Sequence, residues 1–157
     1  MSQPVIAMST MALQDVTHQL VQQFIGELED MLDDLVTGEL SVQQKNVLAK
    51  IVNFFDTEMK QHHLEEEGHI FPMLLSQGDA ALTRKVQTLK AEHDQLRRGW
   101  NDLRQAIDGM VASPGSDATA LFSRFQDYSG CFAGHLMLEE SIQFSPETRL
   151  LFCSWDS

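Results

Sequence analysis

Residues 62–72, HHLEEEGHIFP, place three histidines and three glutamates directly beside an Ile-Phe-Pro segment that has the character of buried core. A solvated charged face is the ordinary explanation for such a cluster. Helix geometry tests it, because neighbouring residues lie about 100° apart on an α-helix and residues four apart lie only about 40° apart. His62 and Glu66 therefore share an inward face, whereas Glu65 and Glu67 can turn toward water.

The apolar residues of the whole chain recur at alternating steps of three and four, the period of an amphipathic helix. Four stretches carry this pattern, and no stretch of comparable length alternates as a strand would. The inward positions are His18, Val21, Ile25, Leu28, Leu32 and Leu35; then Leu48, Ile51, Phe55, Met59 (or Glu58), His62, Glu66, Ile70 (or His69) and Met73; then Leu82, Val86, Leu89, His93, Leu96, Trp100, Leu103, Ile107 and Met110; and finally Leu121, Phe125, Tyr128, Phe132, His135, Glu139 and Ile142. The pattern predicts an all-α protein.

Turn signals separate the four stretches, and they lie at Gly38, at Gly78 and at Pro114-Gly115-Ser116. Ser41 with Gln44 has the form of a capping box, and Asp79 is suited to cap the third helix. Short connections favour antiparallel neighbours, so we predict an up-down-up-down four-helix bundle. At 157 residues we expect one domain, with the bundle over about 10–146 and a tail, 147–157, that packs on the bundle or forms a dimer contact.

Each predicted helix carries one inward histidine at a similar height. Counted along the chain, His18, His62, His93 and His135 all lie about 21 to 23 residues from a loop centre, which places them within roughly one turn of a common layer at about 1.5 Å per residue. Glu66 and Glu139 each follow a histidine by four residues, so the chain reads as two similar hairpins.

This inward polar layer favours a metal site. A single buried histidine is usually a hydrogen-bonded core residue, and a single His/Glu pair is usually a salt bridge. Six such residues at one depth are costly to bury unless a cation satisfies them together. Nitrogen and oxygen donors without thiolate suit iron, manganese or zinc, and six ligands exceed the needs of one tetrahedral zinc. The set predicts a dinuclear site, bridged by glutamates from two helices, with open positions for a small molecule.

These motifs resemble the hemerythrin-like, or HHE cation-binding, domains. The matching residues are His18, His62-x-x-x-Glu66-Glu67 leading into Phe71-Pro72, the EHD around His93, and His135-x-x-x-Glu139-Glu140 leading into Phe144, so the resemblance covers about residues 13–146. It implies a bundle that holds a non-heme di-iron centre with an oxygen bridge between the irons. Oxygen-carrying hemerythrins have a fifth histidine where this chain has Arg97, and they end in HxxxxD rather than HxxxE.

The chain is therefore most similar to the four-His, two-Glu subgroup, which includes di-iron proteins linked to iron–sulfur cluster repair. The resemblance implies binding or reduction of O2, peroxide or nitric oxide in oxidative or nitrosative stress, or repair of iron centres. The alternatives are a reversible O2 carrier or sensor and, last, a zinc-binding or metal-free structural bundle.

Several residues near the layer remain candidates for supporting roles. His69 returns to nearly the same face as His62 and is either an outer hydrogen-bond donor and proton relay or a partly hydrated histidine. Glu58 is a reserve ligand or proton acceptor. His63 lies on a helix flank, although a slight rotation would exchange it with His62. Tyr128 lies on the core stripe, where a redox role is the minority interpretation.

The amino-acid composition limits the kinds of molecule that this chain is expected to bind. A net charge of −12 argues against nucleic acid and favours small cations. No apolar run is long enough to span a membrane, and the amino terminus is a poor secretory signal, so we expect a cytoplasmic protein. Cys131 and Cys153 match no metal or redox motif and are expected to be free thiols. The tail segment RLLFCSW (149–155) is the candidate surface for a homodimer.

Overall fold

The computed structural model describes the backbone of residues 3–143 and the side chains of residues 16–142. It consists of four helical arms: α1 (Gln3–Thr37); a second arm made of α2 (Val42–Asn53), α3 (Met59–Glu65) and α4 (Phe71–Leu75), joined by π-helical turns at Phe54–Glu58 and Glu66–Ile70; α5 (Ala80–Ala112); and α6 (Thr119–Gln143). The prediction of an all-α, antiparallel four-helix bundle is confirmed. The predicted tail at 147–157, and Cys153 within it, lie outside the described residues.

The arms begin and end where the turn chemistry predicts. The Ser41 hydroxyl accepts from the Gln44 backbone N–H while the Gln44 side chain accepts from the Ser41 N–H, which completes the capping box. Asp79 accepts from the first backbone N–H groups of α5. Gly38 has a positive φ of 76°, and a Cβ there would lie 2.8 Å from Pro114. This close approach lets the first and third connections pack together.

The predicted inward faces are the buried ones, with informative exceptions. Ile25 and Leu82 are only partly buried. In the second arm the predicted face holds through Ile70, but at the end of the arm Leu74 is buried and the predicted Met73 is only partly buried. The difference follows the π-helical turn at Glu66–Ile70, because a π turn takes one more residue than an α turn and so shifts every later side chain around the axis.

The polar layer lies between two apolar clusters. The larger cluster fills the bundle on the side of the Gly38 and Pro114 connections and includes Leu35, Phe55 and Trp100. The smaller cluster lies toward the Gly78 connection; it contains Ile70, Phe71, Leu74, Val86, Leu89 and Ile142. Both ends of the layer are therefore sealed by hydrophobic packing. No helix among the described residues is long and apolar enough to cross a membrane.

Candidate metal centre

The structure brings all six sequence-predicted ligands into the interior. They are His18 on α1, His62 on α3, Glu66 at the start of the second π turn, His93 on α5, and His135 and Glu139 on α6; none is more than 7% exposed. Charged and polar side chains are rarely buried so completely unless they are paired or coordinate a cation. The convergence from all four arms is what the common-height argument predicts.

The donor atoms form two adjoining groups. The first group consists of His18, His62 and Glu139, and the second consists of His63, Glu66, His93 and His135; within each group, one donor atom from every residue lies within 4.8 Å of all the others. Two groups of this kind match the dinuclear arrangement better than a single tetrahedral site, which needs only four donors.

The two glutamates lie between the groups. Glu66 Oε1 is 3.3 Å from His62 Nε2 in the first group and 3.4 Å from His93 Nε2 in the second. Glu139 Oε2 is 3.0 Å from His18 Nε2 and 3.7 Å from His135 Nε2. Two donors at right angles on one ion lie about 3 Å apart when each bond is about 2.1 Å long. These distances therefore suit carboxylates shared between two cations.

Many of these buried atoms have no hydrogen-bond partner within the described part of the chain. The partnerless atoms are His18 Nδ1, His62 Nε2, His63 Nε2, both oxygens of Glu66, both ring nitrogens of His93, His135 Nε2 and Glu139 Oε1. Leaving a buried polar group unsatisfied costs about 1–3 kcal/mol, and more when the group is charged. The presence of so many partnerless buried atoms at one place is consistent with a cation site, because bound cations would give these atoms their missing partners.

Burial favours the neutral form of three of the imidazoles, those of His62, His63 and His93. Burial, reinforced by the surrounding histidines, lowers the pKa of His62 to about 3 and that of His93 to about 3. Burial and the adjacent His93 lower the pKa of His63 to about 2. Burial raises the pKa of Glu139 against the opposing contact with His18. Neutral imidazole is the form that binds metals, and a nearby cation would favour the ionised carboxylate.

Glu92 is a supporting residue for which the motif search assigned no role. Its carboxylate lies 2.9 Å from His135 Nδ1. Burial lowers the pKa of His135, and this carboxylate opposes the shift. Metal-bound histidines usually donate their second nitrogen to such a carboxylate, which fixes the tautomer and aims the other nitrogen at the metal. Its position directly before His93, on the side of α5 that faces α6, is the signal that could have identified it.

His63 also has a different position from the one expected. The sequence placed it on a helix flank, but its Nε2 is buried and has no hydrogen-bond partner among residues 16–142, and its ring stacks on His93 with centroids 3.9 Å apart. It joins the second donor group while His62 keeps its place in the first. The histidine pair at 62 and 63 was the available signal, since together the two residues cover an arc of about 100°.

The remaining candidates lie away from the donor groups. Glu58 and His69 are exposed, and the structure brings neither to the centre. Tyr128 is 4% exposed and packs against Phe55, Trp100 and Phe132 in the larger apolar cluster, where burial raises its pKa well above the usual value.

Aromatic rings shield the layer from above and below. Phe71 stacks on His93 at a centroid distance of 5.5 Å, and Phe132 meets His135 edge-on at 6.1 Å. A four-helix bundle with a buried, shielded layer of histidine and glutamate defines a cation-binding bundle protein. The chain belongs to the hemerythrin HHE cation binding domain family, whose pattern matches residues 10–145.

Curated relatives point in the same direction. The chain is 22% identical over 142 residues to the iron-sulfur cluster repair protein YtfE of Pectobacterium atrosepticum, and 22% identical over 142 residues to YtfE of Pectobacterium carotovorum subsp. carotovorum. Each match covers 84% of this chain and 64% of the relative. The chain thus spans somewhat less than two thirds of the length of the relatives it matches. No solved structure matches it significantly.

Proposed function

We propose that this chain is a non-heme di-iron protein that binds or reduces a small ligand, O2, peroxide or nitric oxide, in the response to oxidative or nitrosative stress or in the repair of iron centres. The observation that carries the proposal is the pair of adjoining donor groups with a glutamate between them on each side. The similarity to proteins named for iron–sulfur cluster repair supports iron over zinc and stress over oxygen transport.

In this proposal the residues have distinct roles. His18, His62, His93 and His135 would hold the two ions, and Glu66 and Glu139, which lie between the donor groups, would supply carboxylate oxygens to both. A pair of bound irons would supply reversible one-electron chemistry and open positions for a small ligand. The six donors come from all four arms and are buried, so the packing of the bundle already brings them close together without an ion.

The protein environment supports this role in two ways. Glu92 accepts a hydrogen bond from the Nδ1–H of His135, which leaves the Nε2 lone pair facing the donor groups. Phe71 and Phe132 keep bulk water from the layer, which strengthens the electrostatic interactions inside it.

Metal analysis is the direct test of this proposal. Protein purified from iron-replete cells should contain close to two irons per chain. Zinc alone, or no metal after anaerobic reconstitution with Fe2+, would contradict the di-iron assignment.

Rapid mixing separates ligand reduction from oxygen carriage. The reduced protein is mixed in a stopped-flow spectrometer with O2, with peroxide and with nitric oxide. Turnover or irreversible bleaching supports the stress role. A stable oxygenated band that disappears on removal of O2 would indicate a carrier, which the HxxxE ending and Arg97 do not favour.

A further inference from the structure

A cavity of about 290 Å³ lies on the flank of the bundle beside the donor groups. Its walls come from the second arm, α5 and α6, and include Met59, Trp100 and Tyr128. Among the seven residues of the two donor groups, His63 alone lines it. A small molecule that enters this cavity therefore meets His63 before any other donor.

The charged side chains at the cavity nearly balance one another, in a protein that is acidic as a whole. Lys60, Arg97 and Glu67 line the cavity, and Arg97 is paired with Asp94 at 2.6 Å on the exposed surface of α5, so two positive charges face two negative ones although the chain carries a net charge of −12. A small anion is therefore repelled less at this cavity than a net charge of −12 spread over the surface would imply.

His63 has features of a metal ligand in addition to lining the cavity. Its Nε2 is buried and has no hydrogen-bond partner in the part of the chain that the structure describes, and its ring lies nearly parallel to that of His93, with 13° between the planes. Its donor atom lies within 4.8 Å of donors on Glu66, His93 and His135, while two donors on opposite sides of one ion are about 4 Å apart. Because an imidazole lone pair lies in the plane of its ring, His63 would have to rotate out of its stacking on His93 before both could face one ion.

The two donor groups are unequal because of His63. The first group has three protein donors and the second has four, and His63 is the member of the second group that is only half-buried. The other three are at most 1% exposed and enclosed by the bundle. His63 is therefore the donor with the most freedom to leave.

We propose that His63 is a seventh, displaceable protein donor that occupies a coordination position at the inner end of this cavity, so that a small anion reaching the metal centre by this route must displace it. The proposal rests on the proposed metal centre and adds to it a specific site at which the exogenous ligand enters. His63 thereby limits access of anions to the centre.

The test uses azide as the probe with the iron-reconstituted, air-oxidised full chain. His63→Ala should retain the wild-type iron content, because six donors remain, and should bind azide at least tenfold more tightly in a visible absorption titration. Added imidazole should compete in His63→Ala and return the apparent azide affinity toward the wild-type value. Leu64→Ala widens the cavity wall without removing a donor and should change the azide affinity less than twofold.

The possible results distinguish the proposed role of His63 from the existence of the metal centre. Iron uptake by the wild type with equal azide affinity in His63→Ala overturns the role of His63 and leaves the metal centre intact. Loss of iron from His63→Ala also overturns it, since an indispensable ligand is not a displaceable one. Failure of the wild-type chain to take up iron overturns the proposed function and this inference together.

Discussion

His135 is held by a carboxylate that has no other role in the donor groups. Glu92 accepts from its Nδ1 at 2.9 Å, and its own side chain is 23% exposed, so it links the buried imidazole to the outer surface of α5. Removal of a hydrogen-bond partner of this kind typically lowers the metal affinity about 10- to 100-fold. Glu92→Ala should therefore lower iron affinity by about that factor, and Glu92→Gln by less, because the amide oxygen still accepts. Competition with a chromogenic chelator measures both.

The matched control for this prediction lies on the same helix. Asp94→Ala removes one negative charge two residues away, from an exposed carboxylate that pairs with Arg97 instead of a histidine. It should leave iron affinity within about twofold of the wild type. Equal losses in Glu92→Ala and Asp94→Ala would show that net charge, and not the hydrogen bond to His135, sets the affinity.

The two glutamates proposed as bridges allow a second prediction at the level of single residues. Glu66 and Glu139 each lie within 4 Å of histidines from both donor groups, so under the proposed assignment removal of either carboxylate would weaken both metal positions. Glu66→Ala and Glu139→Ala should each lower the iron content from about two per chain to about one or less, measured by elemental analysis. Glu65→Ala, an exposed neighbour in the same motif, should retain full iron. Full iron in both bridging variants would rule out the bridging assignment.

At the scale of elements, the two π-helical turns set the phase of the second arm. The turn at Glu66–Ile70 keeps His62 and Glu66 facing the layer while it lets Phe71 and Leu74 reach the smaller apolar cluster. Deletion of Gly68 would remove the extra residue and rotate α4 by about 100°, which would take Phe71 out of the core. Losing a buried aromatic costs about 3–5 kcal/mol, so urea unfolding followed by circular dichroism should show a loss of this size.

Gly68→Ala is the control for this deletion. The residue is helical and exposed, and a Cβ added there has no atom within 4 Å. Alanine in a helix is favoured over glycine by about 1 kcal/mol, so this variant should be as stable as the wild type or slightly more stable. Similar unfolding midpoints for the deletion and for Gly68→Ala would mean that the π turn does not control the packing of α4.

The helices and the six deepest donors could be predicted because periodicity and chain counting determine face and height. The orientation of the side chains beyond Ile70 could not be predicted, since π and α turns differ by a single residue and no local residue type marks the change. Leu74 is therefore buried where Met73 was expected. His63 and Glu92 were missed for a related reason. Each lies about 100° from a predicted ligand, and whether such a flank faces inward depends on how neighbouring arms pack.

At the scale of the whole molecule, the acidic bundle buries His62, His63 and His93 in a form that resists protonation, and this makes the metal-free state sensitive to pH. His62, His63 and His93 have folded-state pKa values of about 3, about 2 and about 3, against 6.5 in the unfolded chain. As the pH falls below 6.5 the unfolded chain takes up protons that the folded chain refuses, so stability falls. Burial lowers the pKa of His135 as well, which adds to the loss of stability at low pH. The raised pKa of Glu139 has the opposite effect, but it is a single group opposed by several histidines.

We therefore expect the unfolding free energy of the chelator-treated protein to be highest above pH 6.5 and to decrease steadily between pH 6.5 and pH 4.5. The slope should be roughly 1 kcal/mol per pH unit for each histidine that titrates only on unfolding. Urea titrations at closely spaced pH values measure it. His63→Phe keeps an aromatic ring against His93 but removes one titrating group. The slope of its unfolding free energy against pH should therefore be shallower by roughly 1 kcal/mol per pH unit. Stability that is flat or rises as the pH falls through this range would show that the buried imidazoles take up protons in the folded state. Such imidazoles would reach the metal as cations, and the donor set would then bind iron only at higher pH.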